Sequence, residues 1–164
     1  MKKQLEKLST FKFTLRIFAF FAKRKIFTRF TQFLTTKSAK LNIKLNNPQP
    51  ATDAKALAKV WQQMMPPDAQ DKFTIGKIDQ DTDTARVKIG IKCPLRGTGN
   101  VEACYKLMNY DRTLMKAVGG ELIVEKSQSN SGEGHCILAI RKLGADTSDI
   151  TPAHLKPSPT KTAL

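Results

Sequence analysis

The chain has 164 residues, and its 28 Lys and Arg against 14 Asp and Glu give a formal net charge of +14. This length allows one compact domain with appendages, and no run approaches the roughly 20 apolar residues of a membrane-spanning helix. Three cysteines do not suggest a secreted disulfide framework, so the totals favour a cytoplasmic protein with reduced thiols.

Charge and phenylalanine are concentrated in residues 1–44. Twelve Lys and Arg and a single acid lie there, as do eight of the nine phenylalanines. No Pro or Gly interrupts the segment, which predicts helix. A helix with one aromatic face bordered by cations suits an anionic membrane surface. The residues predicted to meet that surface are Arg16, Phe20, Phe21, Lys23, Arg24, Phe27 and Phe30.

Two other interpretations of this segment stay open. Its phenylalanines can instead pack on the domain and leave the lysines as a solvated face. A nucleic-acid arm is the least favoured, because aromatics on one stripe are buried more naturally than stacked on bases. The apolar run "IFAFFA" is too short for a typical signal-peptide core. Because we favour the membrane-surface interpretation over these two, we expect a cytoplasmic protein that associates with the surface of the inner membrane.

Composition changes mark three further zones. Residues 45–51, "LNNPQPA", read as a linker. Residues 52–142 carry the periodic patterns of a folded domain. Residues 143–164 are rich in Pro, Ser and Thr and predict a disordered tail.

Within the domain the elements follow the order helix, two strands, helix, two strands. The first helix, in "TDAKALAKVWQQMM", is capped by Thr52 or Asp53 and ends before Pro66. "KFTIGKI" and "ARVKIGIKC" alternate as a hairpin, a second helix runs from Asn100 to Gly119, and "ELIVEKSQ" and "HCILAIRK" form a second hairpin. This order predicts an α+β domain with an antiparallel sheet and helices packed on it.

Residue spacing directs three thiols and one carboxylate to the same interface. Strand alternation puts Cys93 and Cys136 on the apolar faces of their strands. Helical spacing puts Cys104, Met108 and Asp111 on one side of the second helix. We therefore expect these side chains to meet between the sheet and the helices.

Plain packing competes with a site for each of these groups. Free cysteine behaves as a small hydrophobe, and no CxxC pair or HxxxH spacing is present. A carboxylate at Asp111 needs a partner or a ligand, and capping of the "CPLRGTG" loop is the alternative. That loop can present Arg96 and backbone N–H groups to an anion, but it lacks the spacing of a nucleotide loop.

Three stretches, "CPL", "CYKLMNYD" and "GGELIVEKSQSNSGEGHCILAI", resemble the C-terminal half of aminothiazoline-carboxylate hydrolase-like proteins and the related 4-vinyl reductase domains of bacteria. The resemblance covers roughly residues 87–141. The matching positions are Cys93, Asp111, Gly132 and Cys136. Met108 stands where the hydrolase-like pattern has a cysteine, and Gln128 stands near a metal-binding cysteine of the reductase-type pattern.

The resemblance implies a small-molecule pocket. If the domain is an enzyme, it implies hydrolysis of a cyclic amidine or amide-like bond, with Cys93 or Cys136 as nucleophile or metal ligand and Asp111 as base or orienter. The residues expected to bind the ligand of this pocket are Arg96, Cys104, Met108 and Glu125, and the residues expected to hold a zinc or iron ion are Cys93, Cys104 and Cys136. A non-enzymatic sensor or adaptor that binds a lipid, metal or partner protein is the alternative.

Overall fold

The computed structural model describes residues 13–156. A four-stranded antiparallel sheet lies at its centre, with the strand order β1-β2-β4-β3. The strands are β1 (Phe73–Asp79), β2 (Thr84–Ile89), β3 (Gly120–Lys126) and β4 (Cys136–Lys142). The two predicted hairpins pair through β2 and β4, with Val87 opposite Leu138. The predicted α+β class and its order of elements are confirmed.

Helices cover one face of this sheet in two layers. They are α1 (residues 13–22), α2 (Thr28–Asn46), α3 (Ala54–Gln63), α4 (Val101–Leu107) and α5 (Asn109–Ala117). Helix α3 packs on β1, β2 and β4, and α5 packs on β3. Helix α2 packs on α5 and α4 and forms the outer layer. Residues 28–46 therefore belong to the packed body of the domain.

Local capping sets where the inner helices begin. Asp53 accepts a hydrogen bond from the Ala56 N–H at 2.8 Å, and Asn100 accepts one from the Ala103 N–H at 2.8 Å. The single helix predicted from Asn100 to Gly119 is wrong, because it breaks at Met108, where ψ is −1°. The Asn109 side chain then donates to the hydroxyls of α2, which fixes the new direction of α5.

Apolar packing on the inner sheet face centres on α3. Leu57, Ala58 and Trp61 are fully buried on its inner side. The Trp61 ring meets the ring of Phe73 edge-on, with centroids 5.7 Å apart. Truncating such a buried tryptophan to alanine lowers the free energy of unfolding by about 3–5 kcal/mol, so the Trp61 side chain is a major part of the core.

Residues 143–156 follow an ordered path, which contradicts the predicted disordered tail for this part; the rest of that prediction, residues 157–164, lies outside the described residues. Arg141 points to the outer face of β4 and is buried, so its guanidinium needs partners. It pairs with Asp149 at 2.6 Å and donates to the Thr84 hydroxyl at 2.7 Å. Ile150 is buried, and the Ala153 N–H donates to the Val124 carbonyl at 2.7 Å. A buried charge thus holds a segment that composition marks as disordered.

Two threonines on the buried side of α2 differ in one respect. The Thr31 hydroxyl has no hydrogen-bond partner among the described residues, whereas the Thr35 hydroxyl donates to the Thr31 carbonyl and accepts from Asn109. We expect Thr31→Val to raise the free energy of unfolding by about 1 kcal/mol, and Thr35→Val to lower it by a similar amount. Urea unfolding measures both, and two shifts of the same sign would contradict the assignment.

Candidate functional site

A cavity of about 270 Å³ lies between the inner face of the sheet and the helices. Its lining is mostly apolar, with one carboxyl group, one side-chain amide and three thiols among the exceptions. The lining includes Leu15, Phe18, Phe73, Ile89, Ile91, Cys93, Cys104, Leu107, Met108, Tyr110, Asp111, Gln128 and Cys136. The volume is near the lower end of the range of small-molecule pockets.

All three thiols line this cavity, each from a different element. Cys93 follows β2, Cys104 lies in α4, and Cys136 begins β4. Each sulfur accepts a hydrogen bond from a neutral donor. The donors are the Leu95 N–H at 3.4 Å, the Ser127 hydroxyl at 3.0 Å and the Gln128 N–H at 3.4 Å, in the order of the cysteines.

Burial keeps these thiols protonated. Desolvation raises the pKa of Cys93, and it raises the pKa of Cys104 to about 11 and that of Cys136 to about 12. The thiolate is the reactive form of cysteine, and reactive cysteines have lowered pKa values. No histidine or carboxylate among the described residues hydrogen-bonds any of the three. The resting site therefore contains weakly nucleophilic thiols.

Asp111 is the one carboxyl group in the cavity wall. Its Oδ1 accepts a hydrogen bond from the indole N–H of Trp61 at 3.0 Å. Desolvation raises its pKa from 3.8 to about 6, against the lowering effects of the Trp61 hydrogen bond and of the Arg112 charge. The hydrogen-bond partner that a buried carboxylate at Asp111 needs is thus a tryptophan rather than a cation. The backbone N–H of Asp111 also lowers this pKa, and Trp61 is the only side chain among the described residues that donates a hydrogen bond to the carboxylate.

Gln128 joins the turn after β3 to the segment after β2. Its side-chain amide donates to the Ile91 carbonyl at 2.8 Å and accepts from the Cys93 N–H at 3.2 Å. The backbone carbonyl of Gln128 accepts a hydrogen bond from the Gly97 N–H at 2.9 Å. Gly97 has φ of +68°, a conformation that glycine adopts without steric cost. Gln128 therefore fixes the position of Cys93 at the cavity wall.

The residues of the cavity do not fit the expected zinc or iron site. Among residues 13–156, no three His, Cys, Asp or Glu side chains are grouped so as to hold a metal ion. We therefore derive no step through a metal.

Two residues expected around the ligand lie elsewhere. Glu125 points to the outer face of the sheet, where Arg86 donates to both of its oxygens at 3.0 Å. Arg96 is exposed and lies against Gly134 in the turn between β3 and β4. His135 pairs with Glu133 at 2.9 Å, away from the cavity. Met108 and Cys104 do line the cavity.

The basic front segment supplies the remaining wall. Leu15 and Phe18 of α1 line the cavity, and Ala19 and Ala22 are buried on the same side. Among the residues predicted to meet a membrane, Arg16, Phe20, Lys23, Arg24 and Phe30 are exposed, while Phe21 and Phe27 are half-buried. The Phe21 ring contacts the rings of Phe20, Phe27 and Phe30 at 5.0–5.4 Å between centroids. No helix of the described residues is long and apolar enough to cross a bilayer.

The sequence does not predict four residues of the cavity wall and its support: Leu15, Phe18, Trp61 and Gln128. In the sequence, Gln128 is notable only as a departure from a family pattern. No family model, curated protein or solved structure matches this chain, so the resemblance to the hydrolase-like family stays a prediction.

Proposed function

We propose that this protein binds a small, mostly apolar molecule in the cavity, with a hydrogen-bond donor of the ligand directed at Asp111. The observation that carries the proposal is a single carboxyl group in an otherwise largely apolar lining. Ligand sites commonly combine an apolar lining with a few polar groups that fix orientation. Asp111 uses one oxygen for Trp61 and can offer the other to the ligand.

The size and charge of the cavity define the ligand further. A volume of about 270 Å³ corresponds to roughly nine non-hydrogen atoms, since a water molecule occupies about 30 Å³ in the liquid. Above pH 6 the Asp111 carboxyl group is charged and repels an anionic head group. A hydroxyl or amide N–H can donate a hydrogen bond to this carboxylate, whereas an anionic head group cannot.

Binding fits these residues better than hydrolysis of an amidine or amide-like bond. A cysteine nucleophile needs a lowered pKa or an adjacent base. The three thiols have raised pKa values and accept hydrogen bonds from neutral groups. A sensor or adaptor that reports occupancy of the cavity is consistent with this chemistry.

The proposal also includes attachment to an anionic membrane surface through the front helices. Arg16, Lys23 and Arg24 are exposed beside the exposed rings of Phe20 and Phe30. Aromatic side chains bordered by cations favour the interface of an anionic bilayer. This is a peripheral association of helices that lie on the surface.

Octanol and octanoate test the binding proposal, because they differ only in the head group. Trp61 is the only tryptophan of the chain and bonds Asp111, so its fluorescence reports on the cavity. At pH 7.5 we expect octanol to change the emission saturably, with an affinity roughly tenfold or more above that of octanoate.

Asp111→Asn is the matched variant, since it keeps the shape and removes the charge. We expect this variant to bind octanol and octanoate with more similar affinities than the wild-type protein does. If neither compound changes the Trp61 emission saturably in the wild-type protein, the proposal is wrong. If octanoate binds as tightly as octanol, the role of Asp111 is wrong.

A further inference from the structure

Helix α1 has apolar side chains on two opposite sides. On the inner side, Leu15 and Phe18 are partly buried in the cavity wall. On the outer side, Phe13, Ile17 and Phe20 are 63%, 37% and 52% exposed. A helix that only seals a cavity in water needs no apolar residues on its solvent side.

The outer apolar side continues onto the neighbouring turn and α2. We call this the aromatic-basic surface: the exposed side chains of Phe13, Ile17, Phe20, Ile26, Phe30 and Phe33, with the cations between them. Residues 13–46 contain eight Lys and Arg and no acid. The Arg24 guanidinium lies 3.6 Å from the centre of the Phe20 ring. The exposed apolar side chains and the positive charge of this surface both complement an anionic lipid bilayer.

The connection between α1 and α2 differs from both helices. Arg24 is extended, with φ of −107° and ψ of 125°, and Lys25–Phe27 form a short 3₁₀ turn. Helix α2 is joined to the domain by polar contacts, since Asn42 donates to the Tyr110 hydroxyl at 2.5 Å and to the Met64 carbonyl at 3.2 Å. A few residues at the end of an element are the usual place where a hinge lies.

We infer that an anionic bilayer binds the aromatic-basic surface and draws α1 away from the cavity, so that a neutral, membrane-dissolved amphiphile enters directly from the lipid. This inference rests on the proposed function and names the source and class of the ligand. It assigns α1 two positions, closed in water and open at the bilayer, with the hinge at residues 23–27.

The hydrophobic effect explains why the two environments favour different positions. In water, moving α1 away would expose Leu15, Phe18 and the cavity lining, so the closed position is favoured. At a bilayer the same side chains enter an apolar phase, and most of that cost disappears. The cations hold the protein at the surface while the helix moves. A bilayer thus binds the open position more tightly, as a population shift requires.

Thiol accessibility measures the opening without any ligand. The full chain is mixed with phosphatidylcholine vesicles, or with vesicles in which phosphatidylserine replaces part of the phosphatidylcholine. Vesicle sedimentation reports binding, and mass spectrometry reports the alkylation of Cys93 and Cys136 by N-ethylmaleimide. We expect only the phosphatidylserine vesicles to bind the protein and to increase the alkylation rate of both cysteines severalfold.

Two double variants separate the docking surface from general surface hydrophobicity. Ile17→Ser with Phe20→Ser removes outer apolar side chains that do not line the cavity. Leu143→Ser with Leu155→Ser removes exposed apolar side chains of the C-terminal segment and serves as the control. We expect the first pair to lose both vesicle binding and enhanced alkylation, and the second pair to retain both.

Each contrary result is assigned to one proposal. Vesicle binding with unchanged alkylation overturns the opening of α1 and leaves membrane attachment standing. Absence of binding to phosphatidylserine vesicles overturns the whole inference. The octanol titration contains no vesicles, so its failure counts against ligand binding in the cavity. Its success beside a failed vesicle experiment leaves ligand binding intact and overturns membrane attachment.

Discussion

Replacing Gln128 with alanine is expected to lower the free energy of unfolding by about 3 kcal/mol. The change leaves the Ile91 carbonyl and the Cys93 N–H without their partners, and each buried unpaired group costs about 1–3 kcal/mol. Gln128 is 1% exposed, so water does not replace the lost bonds without rearrangement. Guanidinium unfolding measures the loss, and the Trp61 response to octanol should weaken because Cys93 is no longer fixed.

Gln63→Ala is the matched control, because Gln63 is exposed at the end of α3. We expect this change to stay within about 0.5 kcal/mol of the wild-type stability. Gln128→Glu gives a sharper test, since its protonated form can again donate to the Ile91 carbonyl. The free energy of unfolding of the Gln128→Glu protein should therefore approach the wild-type value at acid pH. A Gln128→Ala protein as stable as the Gln63→Ala protein would contradict the assigned role.

Asp111→Asn is expected to stabilise the protein at neutral pH. Desolvation raises the pKa of Asp111 from 3.8 to about 6 in the folded state, so the folded state binds the proton more tightly than the unfolded state does. The free energy of unfolding of the wild type should fall as the pH rises from about 4 to 6 and then level off. A tenfold change in proton affinity equals about 1.4 kcal/mol, so the free energy of unfolding of the wild type should fall by on the order of 3 kcal/mol over this pH range.

The Asn variant lacks this pH dependence, so its advantage should appear above pH 6 and vanish near pH 4. Asp149→Asn provides a control of opposite sign. The Arg141 hydrogen bond lowers the pKa of Asp149, so its contribution is present above pH 3.8 and is lost as the pH falls. Urea unfolding at several pH values measures both. An Asp111→Asn protein that keeps the wild-type pH profile would refute the pKa assignment.

Short-range patterns in the sequence are enough to predict the order of the sheet strands and the presence of the inner helices, but not the break at Met108 that divides α4 from α5. Alternation in "ARVKIGIKC" and "HCILAIRK" follows the two-residue period of a strand, and it predicts β2 and β4, although β2 ends at Ile89. The caps at Asp53 and Asn100 lie within three residues of the N–H groups that they accept. The same periods direct Cys104 and Cys136 toward one interface. Strand alternation does not orient Cys93, because β2 ends at Ile89, yet all three cysteines line one cavity in the structure.

Partners far apart in the sequence are beyond such patterns. Trp61 and Asp111 are 50 residues apart, and Gln128 and Ile91 are 37 apart. No period relates these positions, because their contact depends on how α3, α5 and the turn after β3 meet. Composition likewise fails for residues 143–156, where one buried guanidinium at Arg141 outweighs the scarcity of large apolar residues.

The wall that α1 contributes to the cavity has a consequence for biosynthesis. Leu15 leaves the ribosome before Cys136, which lines the same cavity and follows roughly 120 residues later, a delay on the order of ten seconds. During that interval the phenylalanine-rich helix has no completed protein surface to cover. A nearby bilayer or a chaperone can shelter it in the meantime, so the nascent chain should associate with membranes before its sheet is complete.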